Sequence, residues 1–575
     1  MAADGPNVQL AVKSGSHERD AAPDRRDPLQ PTDRVLGRVV ACSGARATIS
    51  ATLESGGASP DAWAIGKMIS INLGATRVVG LVYEMRAVKP VWEDNSENAV
   101  HVEVELLGEV VEGARDKAIF RNGISIYPPI GAAAHRIRAG DLAVIHDLGA
   151  RAGVAIGALT QDSSIPATIS IDTMLSRHFA LVGTTGVGKS SAVALLLRKA
   201  IQNRPTLRVL VLDPHNEYAH AFPDAALTID AAGLDLPFWM FQFEEFSDVV
   251  FRGRPALDDE NDILREIIAM ARGRYRMPAN QDISRDLNAT VLKRPLDPGA
   301  PRRGADGAPI PADLPAPYRI VDALAAIDEL VGLHEARFPR ASLRSLKVRI
   351  EGLYADPRYQ FMFARANMIE SMAPVVGHIF RIPQYGRPIT VFQLAGLPSE
   401  VVNAVASVLA RIAFNLAMGS QGGYEILLLC EEAHRYVPSD HALGFAPTRQ
   451  AIARIAKEGR KYGAYLGVVT QRPGELDPTI LSQCSTIFAM RLANDRDQQI
   501  IRAAIADASA STINFLSSIG NREAIAFGEG VATAMRMRFA TLPPAELPAM
   551  AGSTPEGGPR REPGLEELVS RLRGS

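Results

Sequence analysis

Eight residues, GTTGVGKS from Gly183 to Ser190, constrain this chain more than any other stretch. They fit the pattern G-x-x-x-x-G-K-S. They follow HFALVG, an apolar run that reads as a strand, and open GKSSAVALLLRKAIQN, which reads as a helix. The strand and helix open an α/β pattern, and RVLVLD, Arg208 to Asp213, follows as a second strand. The loop also implies a chemistry. Gly183, Gly186 and Gly188 let the backbone curl until its N–H groups point inward at phosphate, and the helix N-terminus adds its dipole. Lys189 places a point charge on β/γ oxygens, and the Ser190 hydroxyl can ligate Mg²⁺. Thr184, Thr185, Val187 and Ser191 complete the set expected against the triphosphate of ATP.

A phosphate loop needs carboxylates beside it, and ILLLCEEAHRYVP, Ile426 to Pro438, supplies two. Four branched apolar residues and a cysteine read as a buried strand that delivers Glu431 and Glu432 together at its tip. Side chains on consecutive residues point different ways. One can face a metal and its neighbour the attacking water. Glu431 takes the metal side, and Glu432 is the candidate general base. GVVTQRP, Gly467 to Pro473, is a further buried strand ending in polar groups, and its Gln471 is placed to orient the water or sense the γ-phosphate. No NKxD follows a strand, as a GTPase would need, and no lid accompanies the carboxylates, as a small-molecule kinase would need.

The rest of the chain is organised around that core. Residues 1–32 are polar and aperiodic and read as a disordered tail. From 33 to 165, short alternating runs such as HVEVELLGEVV and GVAIGALT, separated by glycine turns, read as a small N-terminal β-barrel. Trp63 and Trp92 fall in loop-like stretches there, either as interface anchors or as rings tucked back onto the barrel. Strand and helix alternate over 166–257 and again over 382–542. Between them, 258–381 reads as a helical insertion broken by the Pro/Gly/Ala segment PLDPGAPRRGADGAPIPADLPAPY. Residues 543–575 read as a C-terminal tail with one short amphipathic helix.

Composition excludes several classes. With 575 residues, 47% hydrophobic and 22% charged, most of the chain can bury a core. The net charge of −2 advertises no broad nucleic-acid surface, although a basic pore can hide within a neutral total. Three cysteines, Cys42, Cys430 and Cys484, form no CxxC pair. No apolar run approaches the ~18–20 residues needed to cross a bilayer, and the N-terminus has no signal-peptide core. The expectation is a cytoplasmic protein without a membrane partner. His215 and His434 stand in DPHNEY and EEAHRY, and neither is assigned a catalytic role.

Taken together, GTTGVGKS, LDPHNEY, EEAHRY, AKEGRKYG and TQRPGELDPTILSQCSTIFAMRL resemble the HerA branch of the HerA–FtsK superfamily. The resemblance covers about residues 33–540. It implies an α/β fold: a P-loop, RecA-like ATPase core with a catalytic glutamate, joined to an N-terminal barrel. It implies homo-hexameric rings that hydrolyse ATP between subunits and translocate double-stranded DNA, usually with a partner nuclease. Similar bacterial proteins assemble with sirtuin-like or nuclease effectors in antiphage defence. The resemblance also makes Asp213 an acidic residue near the phosphates, and Arg177 and Arg460 basic residues that reach a neighbouring subunit's nucleotide. Glu431 stands where the family usually has Asp. Ala456-Lys457 departs from the family's Ala-Arg, which leaves the trans residue open among Arg454, Lys457 and Arg460. Arg454 reads equally well as a salt-bridged residue of its helix face. Two functions fit: a DNA translocase or helicase motor, and an ATPase scaffold that organises an effector without processive translocation.

Overall fold

The computed structural model describes residues 35–548 and 564–566, apart from 55–62, 94–95, 113–117, 231–232, 255, 276–312, 314, 333–337, 364–370 and 506–514. The expected N-terminal tail, most of the Pro/Gly/Ala segment and most of the C-terminal amphipathic helix lie outside the described residues. The chain divides into two compact units, Met1–Val144 and Ile145–Ser575.

The first unit is a closed antiparallel barrel. Its strands are β1 (Val35–Ser43), β2 (Arg46–Glu54), β3 (Met68–Leu73), β4 (Thr76–Ala87), β5 (Glu97–Glu112), β6 (Ala118–Asn122) and β7 (Ala133–Arg136). The order β2-β1-β7-β3-β4-β5 closes through a β2–β5 pairing, and β6 extends from β5. Alternation does what it must: Val102, Val104 and Leu106 of β5 point inward and Glu103 and Glu105 outward. Val104 lies opposite Ala47 on one side and Val82 on the other, so one residue packs two neighbouring strands. Trp63 is buried in this core, whereas Trp92 is about half exposed.

The second unit is a sheet of eleven strands: β8 (Val154–Leu159), β9 (Pro166–Ile169), β10 (Phe179–Val182), β11 (Leu207–Asp213), β12 (Ala226–Ile229), β13 (Ile389–Gln393), β14 (Glu425–Cys430), β15 (Ala464–Thr470), β16 (Thr486–Ala489), β17 (Glu523–Gly528) and β18 (Met535–Phe539). Seven are parallel, in the order β12-β13-β11-β14-β15-β10-β16, and the antiparallel strands β17-β18-β8-β9 continue from β16. The inner parallel strands β10, β11, β14 and β15 are buried on both faces, which is why they read as largely apolar runs. Helices Lys189–Asn203, Ser399–Gly419 and Ala446–Glu458 supply crossovers.

The strand at Val154–Leu159 corrects the expected extent of the barrel. GVAIGALT was read as a barrel strand; instead β8 pairs with β18, Leu159 opposite Met537 and Gly157 opposite Phe539. A Cβ at Gly157 would stand 2.0 Å from the Arg538 carbonyl oxygen, so the glycine permits the pairing. Alternation marks a half-buried strand but not the sheet it joins, and this partner lies far along the chain.

The insertion between β12 and β13 holds helices Asp258–Arg274, Ile320–Gly332, Arg340–Ala355 and Met372–Ile379. Helix Ser399–Gly419 is a second correction, since it is long and apolar enough to cross a membrane. Here 72% of its apolar window is buried within the protein, and its Ser407 and Arg411 both bond Glu245. Three polar groups tied together in this way explain a hydropathic helix that serves as core.

Candidate nucleotide site

The tips of β10, β11, β14 and β15 meet at one end of the parallel strands, where open α/β sheets place their ligands. The β10 tip turns into the phosphate loop. Gly186 and Gly188 have φ of 79° and 100°, in the left-handed region that glycine adopts without penalty. At Gly183 a Cβ would approach the Met490 Cβ to 2.7 Å, so close packing, not φ, excludes a side chain there. Thr184 anchors the loop to the β16 tip: its N–H and hydroxyl donate to the Arg491 carbonyl at 2.9 and 3.2 Å. On the same flank the Arg522 N–H donates to the Val187 carbonyl at 2.8 Å. No side chain caps helix Lys189–Asn203, so its first N–H groups stay available to an anion. Val187 is buried beneath the loop, and the Ser191 side chain makes no hydrogen bond among the described residues.

Lys189 is 8% exposed, and its ammonium donates to the Thr184 carbonyl at 3.2 Å. Burial pulls its pKa down, against the attraction of Glu431, Glu432 and Glu217. The Ser190 hydroxyl donates to Glu217 Oε2 at 2.5 Å. Sequence reasoning missed Glu217. It lies inside LDPHNEY, but the motif's spacing does not say which of its two acids turns toward the loop.

Asp213 answers that question. Expected among the phosphate contacts, it is fully buried, and its two oxygens accept N–H bonds from His215 at 3.2 Å and Tyr218 at 2.9 Å. These bonds curl the segment after β11. They aim Glu217 at Ser190 and the Tyr218 hydroxyl at Glu431. Asp213 therefore shapes the site through its neighbours.

Glu431 is 4% exposed, and Tyr218 donates to its Oε2 at 2.8 Å. Burial pushes its pKa up to about 8; Glu432 and Glu217 add to that, while Tyr218 and Lys189 oppose it. Glu432 has φ 50° and ψ 50°, left-handed for a residue with a Cβ. Such a conformation costs on the order of 1–2 kcal/mol and turns the side chain away from the path a straight strand would give. Its Oε2 is buried and accepts no hydrogen bond among the described residues. Gln471 also belongs here, since its Oε1 accepts the Thr185 hydroxyl of the phosphate loop.

This donor set fits a hydrated divalent cation. Three carboxylates, Glu217, Glu431 and Glu432, face one lysine, and one buried carboxylate oxygen is unsatisfied. Among the described residues no group of three or more His, Cys, Asp or Glu is arranged to hold a metal unaided. A cation such as Mg²⁺ binds through one or two protein ligands together with phosphate oxygens and water. Ser190, Glu431 and Glu217 are the residues able to share it.

The basic residues lie apart from this cluster. Arg177 pairs with Glu529. Arg454 stacks over the Phe414 ring at 4.2 Å and approaches Glu458 to 3.6 Å, which is the helix-face role. Lys457 and Arg460 are exposed, and their side chains make no ion pair or hydrogen bond among the described residues. His178, next to Arg177, is buried and structural: its ring accepts the Leu466 N–H at 3.0 Å and lies 3.1 Å from the Ala456 carbonyl. Burial holds its pKa down at about 4.

A Tyr218→Phe variant checks this reading of the carboxylate pair. It leaves a buried Glu431 oxygen without its donor, at a cost of about 1–3 kcal/mol. Chemical denaturation should show a lowered midpoint. An unchanged midpoint would mean that Glu431 does not depend on the phenol.

A family model for the central domain of helicase HerA matches residues 154–413, the span that carries the phosphate loop and LDPHNEY. The DNA double-strand break repair helicase HerA of Pyrococcus furiosus is 23% identical over 443 residues, 71% of this chain and 72% of that protein. A probable helicase of Methanocaldococcus jannaschii is 22% identical over 444 residues, 76% of this chain and 75% of that protein. VirB4 of Thermoanaerobacter pseudethanolicus is 15% identical, covers 70% of this chain and 99% of its own, and superposes with a TM-score of 0.45, too loose a likeness to bear on mechanism. With a phosphate loop and a carboxylate pair at one end of a single sheet, the chain carries the HerA-type central domain over residues 154–413 and is similar to HerA helicases over most of its length.

Proposed function

We propose that this chain is the subunit of a ring-forming, ATP-driven DNA translocase or helicase, hydrolysing ATP at subunit interfaces with Mg²⁺. One observation carries the reading. The phosphate loop, the buried Glu432 with its open oxygen, and Gln471 on Thr185 stand at one sheet end, while Lys457 and Arg460 stand exposed with no ion pair or hydrogen bond among the described residues. Lys189 offsets charge on the transferring phosphate, and Ser190 and Glu431 would hold the cation. Glu432 accepts the water's proton, and Gln471 orients that water. Mg²⁺, when bound, stabilises charge developing on the β/γ oxygens. The ring works with an effector, a nuclease or sirtuin-like enzyme, docked on the barrel.

The test is ATP turnover with and without duplex DNA across a salt series. A motor gripping phosphates should be stimulated, and the stimulation should fall steeply with salt as released counterions lose their advantage. The second reading, an ATPase scaffold that organises an effector, draws on the net charge of −2. DNA-independent turnover would select it.

A further inference from the structure

Glu432 is left-handed, buried and open at one oxygen, so something must hold its carboxylate where a water can use it. The neighbours are few. His434 Nδ1 lies 3.3 Å from Glu432 Oε2, without the geometry of a hydrogen bond, and is 3.0 Å from the Thr470 hydroxyl oxygen. On the other side the half-exposed His215 reaches only to 3.9 Å from Oε1. Thr470 is itself fixed: it is fully buried at the tip of β15, and its hydroxyl oxygen accepts the Arg472 N–H at 3.0 Å. The residue after it, Gln471, bonds Thr185 of the phosphate loop. Two consecutive residues of one strand tip therefore reach, in opposite directions, the loop that holds the γ-phosphate and the histidine that backs the base.

We propose that Thr470 and His434 are positioning residues for the base: Thr470 orients the His434 ring, the ring fixes the Glu432 carboxylate, and the Thr470–Gln471 pair ties that carboxylate's place to the phosphate loop. This rests on the reading of Glu432 as the proton acceptor. The physical case is the shared rigidity of the strand tip. A loop displaced by phosphate moves Gln471, and the adjacent peptide carries Thr470 and the ring with it. Neither His434 nor Thr470 touches the reacting atoms, so their loss should slow turnover and leave nucleotide binding in place.

The test uses the full-length protein and four variants. Thr470→Val removes the hydroxyl and keeps the strand's shape, Thr470→Ser keeps the hydroxyl, His434→Gln removes the ring, and Glu432→Gln removes the base. Affinity is read with a fluorescent ATP analogue and turnover by phosphate release. Thr470→Val and His434→Gln should each lower kcat roughly tenfold or more, with affinity within about twofold, and Thr470→Ser should recover most of the rate. In the Glu432→Gln background, adding Thr470→Val or His434→Gln should cost nothing further, because both act through the carboxylate already removed. Unchanged kcat in both single variants would overturn the proposal. So would an equal further loss in the Glu432→Gln background, which would mean a general structural effect. Should Thr470→Val lose its fold, as a melting curve would show, the partly exposed His434 still decides the question by the same comparison. A Glu432→Gln variant that binds ATP and keeps full turnover would overturn the assignment of the base, a result separate from either of these.

Discussion

Glu432→Gln should bind ATP about as well as the wild type and hydrolyse it ~10²–10⁴ times more slowly, the usual cost of losing a general base. The amide keeps the size of the carboxylate but cannot accept the water's proton. Lys189→Ala should behave differently and lose nucleotide binding as well as turnover, because the phosphates lose their counter-charge in a site where Glu217, Glu431 and Glu432 already repel them. The pair of variants separates binding from chemistry. Affinity measured with a non-hydrolysable analogue, beside steady-state turnover, gives both quantities. Near wild-type turnover in Glu432→Gln would remove it from the role of base and leave Glu431 and Glu217 as the remaining carboxylates of the cluster.

The second large effect is expected between subunits. An arginine supplied in trans is worth ~10³–10⁵ in rate. Arg460 stands exposed with no ion pair or hydrogen bond among the described residues, and Lys457 and Lys461 are exposed beside it. Arg177 is paired with Glu529, but both side chains are more than a third exposed. Such a surface pair is worth at most about 1 kcal/mol, so a neighbour's phosphate could displace it. Arg454 is a weaker candidate, since it is already stacked on Phe414. Subunits carrying Arg460→Ala, with an intact phosphate loop, should be mixed with subunits carrying Lys189→Ala, with an intact arginine. A trans role predicts that the mixture regains activity that neither variant has alone. The same experiment with Arg177→Ala assigns the other arginine. If mixtures stay inactive for both while each variant still forms rings, neither residue acts across an interface.

The buried strands of the core, the phosphate loop and the carboxylate pair were legible in the sequence because each depends on neighbours along the chain. A strand buried on both faces is an apolar run, a phosphate loop is spelled in eight consecutive residues, and Glu431 and Glu432 follow their strand directly. The barrel was legible for the same reason, from the alternation of β5. Tertiary structure alone decided the rest. That β8 joins β18, that Glu217 and not Asp213 turns to Ser190, that Tyr218 grips Glu431, and that Thr470 meets the His434 ring are all contacts between segments remote in sequence. Local pattern records which way a side chain faces, in or out. It does not record which partner waits there, because that depends on strand order and on a few turns whose φ values, such as the left-handed one at Glu432, redirect a side chain after its strand has ended.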